Sequence, residues 1–339
     1  MKEPPSLQKV ARVAGVSCST VSRALRNSTL ISKKTRAHVR AVADKLGYQP
    51  DPLVTTLTAR LRERRPRNEQ PIIAYISSHP SRTNIRKTPY FRRLFQGAEL
   101  RALEIGFRLQ EFLLQKFDDP IRLAQIMKTR DIRGIVFGPM PAPATRIDFP
   151  WSDFSIVALG NTLDQTGLHR VRSDYFQAMS LALARLREYG YQRIGFIARE
   201  RIDRRGSHRW RAAFLLDQKL KGAIDPTALK IVPAGVPERQ VMTDWIRSYR
   251  PDAIITPRNT AYQWITQMNI SIPADIALAL TSVDSTESFF SGVDQRLETV
   301  GAHAVDLLVE QFYYNERGLQ ANPKTVILSG TWIDGKTTP

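Results

Sequence analysis

At 339 residues, 42% of them hydrophobic, the chain is too long for one small module and suits a small domain plus a larger one able to bury its own core. A formal net charge of +18 favours a polyanionic partner, because basic proteins bind phosphate backbones by releasing counterions, and a lone cysteine excludes an internal disulfide and fits a reducing compartment. No apolar run approaches the roughly 18 to 20 residues that a membrane span requires, and Met1-Lys2-Glu3-Pro4-Pro5 lacks the apolar centre of a secretory signal.

The charge is concentrated at the start. Residues 1–70 hold 15 Lys and Arg against 5 Asp and Glu, so that segment is the expected nucleic-acid surface. Leu7, Val10, Ala11 and Ala14 recur at helical spacing and give a first helix one apolar face. Gly15 ends it, as the left-handed conformation of such a turn favours glycine. Ser17 is a good N-cap for a second helix. There Val21, Ala24 and Leu25 fall on one side and Cys18, Ser19, Ser22, Arg23 and Arg26 on the other, a pattern suited to the major groove. A third helix, capped by Ser32, turns Val39, Val42, Ala43 and Leu46 inward and ends before Gly47.

This order of residues resembles the lactose-repressor (LacI/GalR) family of bacterial transcription factors. The run Val-Ala-x-x-Ala-Gly-Val-Ser-x-x-Thr-Val-Ser-Arg from Val10, then Thr35-Arg36 and Leu46-Gly47-Tyr48-x-Pro50, carries the likeness. It implies a headpiece over 1–50 that contacts DNA through Ser17, Cys18, Ser19, Thr20, Ser22, Arg23, Asn27, Thr35 and Tyr48. Cys18 and Ser19 stand where the family varies with operator sequence. Both are too short for the bidentate contacts that Arg or Gln make to bases, so reading there is expected to be loose or water-mediated, with Cys18 equally readable as a small half-buried apolar residue.

Asp51 and Pro52 can start another helix. By resemblance it is the hinge helix of a segment over 51–70, with Val54 packing on its dimer mate and Leu57 wedged into the minor groove. An ordinary linker helix facing the large domain is the other reading. Arg60, Arg62, Arg64, Arg65 and Arg67 follow, either as phosphate contacts or as a solvated linker.

From Pro71 strands alternate with helices, which implies parallel sheets with crossover helices. Strands are expected at Ile72–Ser77, Phe107–Leu114, Gly134–Gly138, Ser155–Gly160, Arg193–Ala198, Ile254–Ile255 and Ile276–Leu280, with a single last strand at Thr325–Ile333. Helices are expected at Phe91–Ile105, Pro120–Thr129, Tyr175–Tyr189 and Leu297–Asn315. The resemblance extends here through Gly-Tyr-x-Arg-Ile-Gly at 190–195, Pro251-Asp252-Ala253-Ile254, Ile272-Pro273-x-Asp275, and Gln295 with Gly301. It implies a periplasmic-binding-protein-like domain over 71–339, with two doubly wound parallel-sheet lobes: the first at about 71–168 and 300–322, the second at about 169–299 and 323–339.

Residues after strand ends line clefts in such folds, which points to His79, Tyr90, Phe91, Asn161, Arg209, Arg258, Thr281 and Gln295 as ligand-binding. Arg258 stands where the family commonly carries asparagine, and Thr281 where it carries aspartate; losing a carboxylate and gaining a guanidinium suggests an acidic or phosphorylated sugar. Arg211 competes with Arg209 for its place, and a pocket that binds nothing small is the other reading. His38, His79, His169, His208 and His303 are scattered without metal-ligand spacing, and no phosphate loop or nucleophile elbow occurs. No catalytic residue, metal or cofactor is expected, and Asp174 and Asp284 read as loop caps.

Together these readings predict a cytoplasmic, nucleoid-associated homodimer that binds a pseudo-palindromic double-stranded DNA operator as a repressor and responds to a carbohydrate or sugar-acid effector, with no membrane partner. A soluble sugar-binding sensor with a vestigial headpiece, or a non-specific architectural DNA binder, are the alternatives.

Overall fold

The computed structural model describes residues 7–25, 31–46, 70–78, 88–116, 119–140, 145–222, 224–284 and 289–339. The expectations for Asn27, Tyr48, Val54, Leu57, His79 and the basic linker lie outside the described residues.

The headpiece is three helices: α1 (Leu7–Ala14), α2 (Cys18–Leu25) and α3 (Lys33–Leu46). Gly15 takes φ +65°, and the amides of Gly15 and Val16 bond back to the carbonyls of Arg12 and Ala11 at 3.3 and 3.0 Å. That pairing closes the end of α1 in the way a left-handed glycine permits. Ser17 Oγ accepts from Thr20 N at 3.1 Å, and Ser32 Oγ from Thr35 N at 3.1 Å, so each serine satisfies an orphan amide of the helix it starts. Val10, Ala11, Ala14, Val21, Ala24, Val39 and Ala43 form the core between the helices.

The large domain is α/β. Among its described residues are two six-stranded sheets. The first orders Thr325–Leu328, His169–Ser173, Ser155–Leu159, Gly134–Phe137, Ile72–Ser77 and Arg108–Leu113, with every pairing parallel. The second orders Thr331–Ile333, Ser291–Asp294, Ala277–Leu280, Ala253–Thr256, Ile194–Arg199 and Leu229–Val232, parallel except at Thr331–Ile333. Apolar runs such as Ile73–Ile76 and Ala277–Leu280 are buried throughout, as strands covered on both faces require.

In chain order the strands are β1 (Ile72–Ser77), β2 (Arg108–Leu113), β3 (Gly134–Phe137), β4 (Ser155–Leu159), β5 (His169–Ser173), β6 (Ile194–Arg199), β7 (Leu229–Val232), β8 (Ala253–Thr256), β9 (Ala277–Leu280), β10 (Ser291–Asp294), β11 (Thr325–Leu328) and β12 (Thr331–Ile333). The helices that matter below are α4 (Pro89–Glu104), α5 (Pro120–Thr129), α6 (Tyr175–Glu188), α7 (Glu200–Arg205), α8 (Arg209–Leu220), α9 (Glu238–Tyr249), α10 (Thr260–Thr266) and α11 (Leu297–Tyr314).

Two sequence expectations change. The last segment is two strands, because the chain leaves the first sheet after Leu328 and enters the second at Thr331. The division between lobes also shifts: β5 and β11, expected in second-lobe segments, pair with each other and complete the first sheet. The chain therefore crosses between lobes after β5, after β10 and after β11. The crossings are tied together. Ser173 Oγ donates to Gln295 O at 3.3 Å, Asp174 N to Leu328 O at 2.8 Å, and the Gln177 amide both accepts from Gly330 N at 3.0 Å and donates to Gly330 O at 3.3 Å.

In the first lobe α4 and α11 touch backbone to backbone: a Cβ on Gly97 would overlap Glu298 O, and one on Gly301 would overlap Leu94 O. Glycine at both positions is what lets the two helices approach this closely.

Candidate functional site

Two places gather polar residues on rigid elements. The first is the headpiece. Cys18, Ser19, Thr20, Ser22 and Arg23 are all carried on α2, and Ser17 and Thr35 sit at the starts of α2 and α3. Thr20 Oγ1 shares a hydrogen bond with Ser17 Oγ, and Thr35 Oγ1 with Ser32 Oγ, each at 2.8 Å. Those hydroxyls fix the two helix starts, whose free amides form positive termini suited to phosphate.

The second place is a cavity of about 380 Å³ between the lobes, within the usual size of a small-molecule site. Its walls come from the C-terminal ends of β3, β4, β8, β9 and β10 and from the first turns of α4, α6 and α8, the position that open parallel sheets offer a ligand.

Tyr90, Phe91, Asn161, Arg258 and Gln295 line this cavity as expected from position. Arg209 and Thr281 do not. Arg209 is exposed at the start of α8, and the next residue, Trp210, takes the cavity wall. Thr281 is fully buried and serves through its carbonyl, which accepts from Gln295 Nε2 at 2.7 Å and so orients that amide.

The charge argument built on Arg258 also changes. Arg258 Nε lies 3.3 Å from Glu238 Oε2, which also accepts from Arg199 Nε at 2.8 Å. Glu238 is buried at the start of α9, so the Arg258 guanidinium shares a carboxylate with Arg199. Asp284, read from sequence as a loop cap, instead lines the cavity, 3.6 Å from Arg92 and 4.0 Å from Arg93. Asp174 does cap: its Oδ1 accepts from Phe176 N and Gln177 N at the start of α6.

Sequence reasoning missed Tyr175, Arg205, Trp210 and Phe290. Tyr175 and Trp210 pack with ring centroids 4.8 Å apart, Tyr90 and Phe91 meet edge to face at 5.2 Å, and the Tyr90 and Tyr175 hydroxyls lie 3.4 Å apart. Burial, followed by the neighbouring Tyr90, holds the Tyr175 phenol well above its ordinary pKa, so it stays protonated. These rings make one aromatic wall running from the first lobe to the second.

The corner between α7 and α8 sets that wall. Ser207 and His208 both take left-handed backbone conformations. The fully buried Asp203 holds His208 Nδ1 at 2.7 Å and Arg211 Nε at 3.4 Å, locking the corner from below. No sequence motif marks this device; an aromatic within an Arg-rich turn was its only trace.

Comparison with known proteins agrees with this architecture. Residues 6–51 match the family of bacterial regulatory proteins, lacI family, and residues 183–338 match the periplasmic binding protein-like domain. The NTD biosynthesis operon regulator NtdR of Bacillus subtilis (strain 168) is 26% identical over 196 residues, 57% of this chain and 54% of that protein. The chain thus spans about half the length of this curated relative. Two solved structures share the fold: a transcriptional regulator CelR–cellobiose complex (21% identity, TM-score 0.61, covering 98% of this chain and 99% of that one) and a lac repressor dimer bound to operator and the anti-inducer ONPF (19%, 0.57, 99% of each). No helix among the described residues is long and apolar enough to cross a membrane. The chain thus joins a region matching the lacI family of bacterial regulatory proteins at one end to a region matching the periplasmic binding protein-like domain at the other.

Proposed function

We propose that the protein is a transcriptional repressor that binds a pseudo-palindromic DNA operator as a homodimer and changes its operator affinity when a small molecule, a sugar or sugar derivative, occupies the interlobe cavity. The observation that carries this reading is the union in one chain of a capped helix–turn–helix unit with a two-lobed domain enclosing a 380 Å³ cavity. Such a union couples two sites, because a ligand that prefers one lobe arrangement shifts the population of arrangements available to the DNA-binding end. The residues proposed to meet DNA are Ser17, Cys18, Ser19, Thr20, Ser22, Arg23, Asn27, Thr35 and Tyr48, with Val54 and Leu57 in the hinge. Tyr90, Phe91, Asn161, Arg258 and Gln295 are the proposed ligand contacts.

A twofold protein calls for a twofold site with half-sites a whole number of helical turns apart. Genomic footprinting of the purified protein at physiological salt tests this. Protection of a few near-palindromic sites is the expected result, and binding with no preference over bulk DNA overturns the reading in favour of a non-specific binder. Leu57→Ala is expected to weaken operator binding strongly and leave ligand binding intact.

A further inference from the structure

Among the described residues, one guanidinium on the wall of the cavity has no carboxylate beside it. Of the guanidinium groups on its wall, Arg93 is bonded to Asp294 and Glu298, and Arg258 faces Glu238. Asp284 faces Arg92 and Arg93. Arg205 differs. Among the described residues it pairs with no carboxylate and instead lies over aromatic rings: its guanidinium carbon is 5.7 Å from the Tyr90 ring centre and 5.2 Å from that of Phe91. A guanidinium held over aromatic rings by its positive charge keeps the hydrogen-bonding capacity of its N–H groups, which match a carboxylate through two parallel hydrogen bonds.

We propose that the ligand of this cavity is a ring-shaped monocarboxylate, its acid group paired with Arg205 and its ring laid against the wall of Tyr90, Phe91, Tyr175 and Trp210. The inference rests on the reading of the cavity as the effector site and narrows its chemistry. The charge state follows from the partners on the wall: among the described residues Arg205 alone of the lining guanidiniums has no carboxylate beside it and calls for one negative charge, whereas the second cation that a phosphate dianion needs would be Arg258, which already shares the Glu238 carboxylate with Arg199. The body of the ligand follows from the wall. Aromatic faces from both lobes accept a flat ring, either an aryl ring or the apolar face of a pyranose. Arg205 sits where it does because the α7–α8 corner, clamped through Asp203 and His208, places it beside Gly206 and Trp210 on the same wall.

Calorimetric titration of the full-length protein with benzoate, glucuronate, benzyl alcohol, glucose and glucose 6-phosphate tests the proposal. At least one of the two carboxylates is expected to bind, at least about tenfold tighter than its neutral counterpart, as a charged hydrogen-bond pair is worth. Which one binds distinguishes an aryl ring from a sugar ring. In Arg205→Gln that preference is expected to vanish, in Arg205→Lys to persist in weakened form, and in Arg133→Gln, an exposed arginine outside the cavity, to remain.

The proposal is overturned if neither carboxylate binds at millimolar concentration, if the neutral partners bind as tightly as the acids, if the phosphate binds tighter than both carboxylates, or if the preference survives in Arg205→Gln. The comparison of acid with neutral compound on the unaltered protein stands even if the Arg205 variants fold poorly. Because titration involves no DNA, its outcome is independent of footprinting, so failure here leaves the repressor reading standing and failure there leaves the ligand class standing.

Discussion

Arg93, on the first helix of the first lobe, donates from Nη2 to Asp294 Oδ1 at 2.8 Å, and Asp294 closes the β10 strand of the second lobe. The same guanidinium meets Glu298 at 2.5 and 2.7 Å and the Val283 carbonyl at 3.0 Å. One side chain, 5% exposed, therefore ties α4, α11 and the end of the second sheet together at the cavity floor. Burial opposes its charge, but the hydrogen bonds it donates to Glu298 and Asp294 outweigh that and raise its pKa further.

Removing one member of such a buried cluster leaves the others uncompensated. Arg93→Gln is expected to lower unfolding stability by about 3 kcal/mol, and the added change Asp294→Asn to recover part of the loss. Urea unfolding of the two variants checks both statements; additive losses would show that the pair is not coupled.

The glycine contact between α4 and α11 makes a second prediction. Gly301→Ala places a methyl group on the Leu94 carbonyl, and neither helix backbone can yield locally. A loss of about 1–3 kcal/mol is expected. Gly190→Ala, where no neighbour lies within 4 Å, provides a control in which only the left-handed backbone is strained.

In the headpiece, Gly15→Ala meets no steric neighbour, so its whole effect is the left-handed backbone at φ +65°, worth about 1–2 kcal/mol. Ser17→Ala removes the cap of α2 and is expected to cost about 1 kcal/mol. Hydrogen exchange over residues 7–25 should quicken in both variants while the sheets of the large domain remain protected.

His169 predicts a pH effect. It is 3% exposed, and burial lowers its pKa; Nδ1 is also occupied by the Lys324 amide at 2.8 Å, and the nearby Glu316 opposes the shift less strongly. A histidine whose folded pKa lies below the unfolded value binds its proton more readily when unfolded, so stability rises with pH across that interval. Acidification from pH 7 towards 5 is therefore expected to destabilise the first lobe, and His169→Gln to flatten that part of the melting-temperature profile.

The sequence revealed what local rules govern. Ser17 and Ser32 cap where their spacing says they should, and α5 spans the expected Pro120–Thr129 because Asp119 and Pro120 mark its start. What it concealed depends on distant packing. Thr325–Ile333 reads as one alternating run, and its division is decided by two sheets lying far apart in sequence. Arg209 and Trp210 are neighbours, and a single step around a helix decides which faces the cavity. Nor does anything near Arg258 announce Glu238, twenty residues earlier, as its counter-charge.

The three crossings between the lobes also set the kind of motion the molecule can make. Joined by the Ser173–Gln295, Asp174–Leu328 and Gln177–Gly330 hydrogen bonds, they act as one seam rather than three independent tethers. A seam of adjacent strands resists sliding and twisting and leaves bending about its own line as the soft coordinate. Opening and closing of the cavity is therefore expected to follow bending about that line, the coordinate through which an occupant of the cavity would act on the rest of the chain.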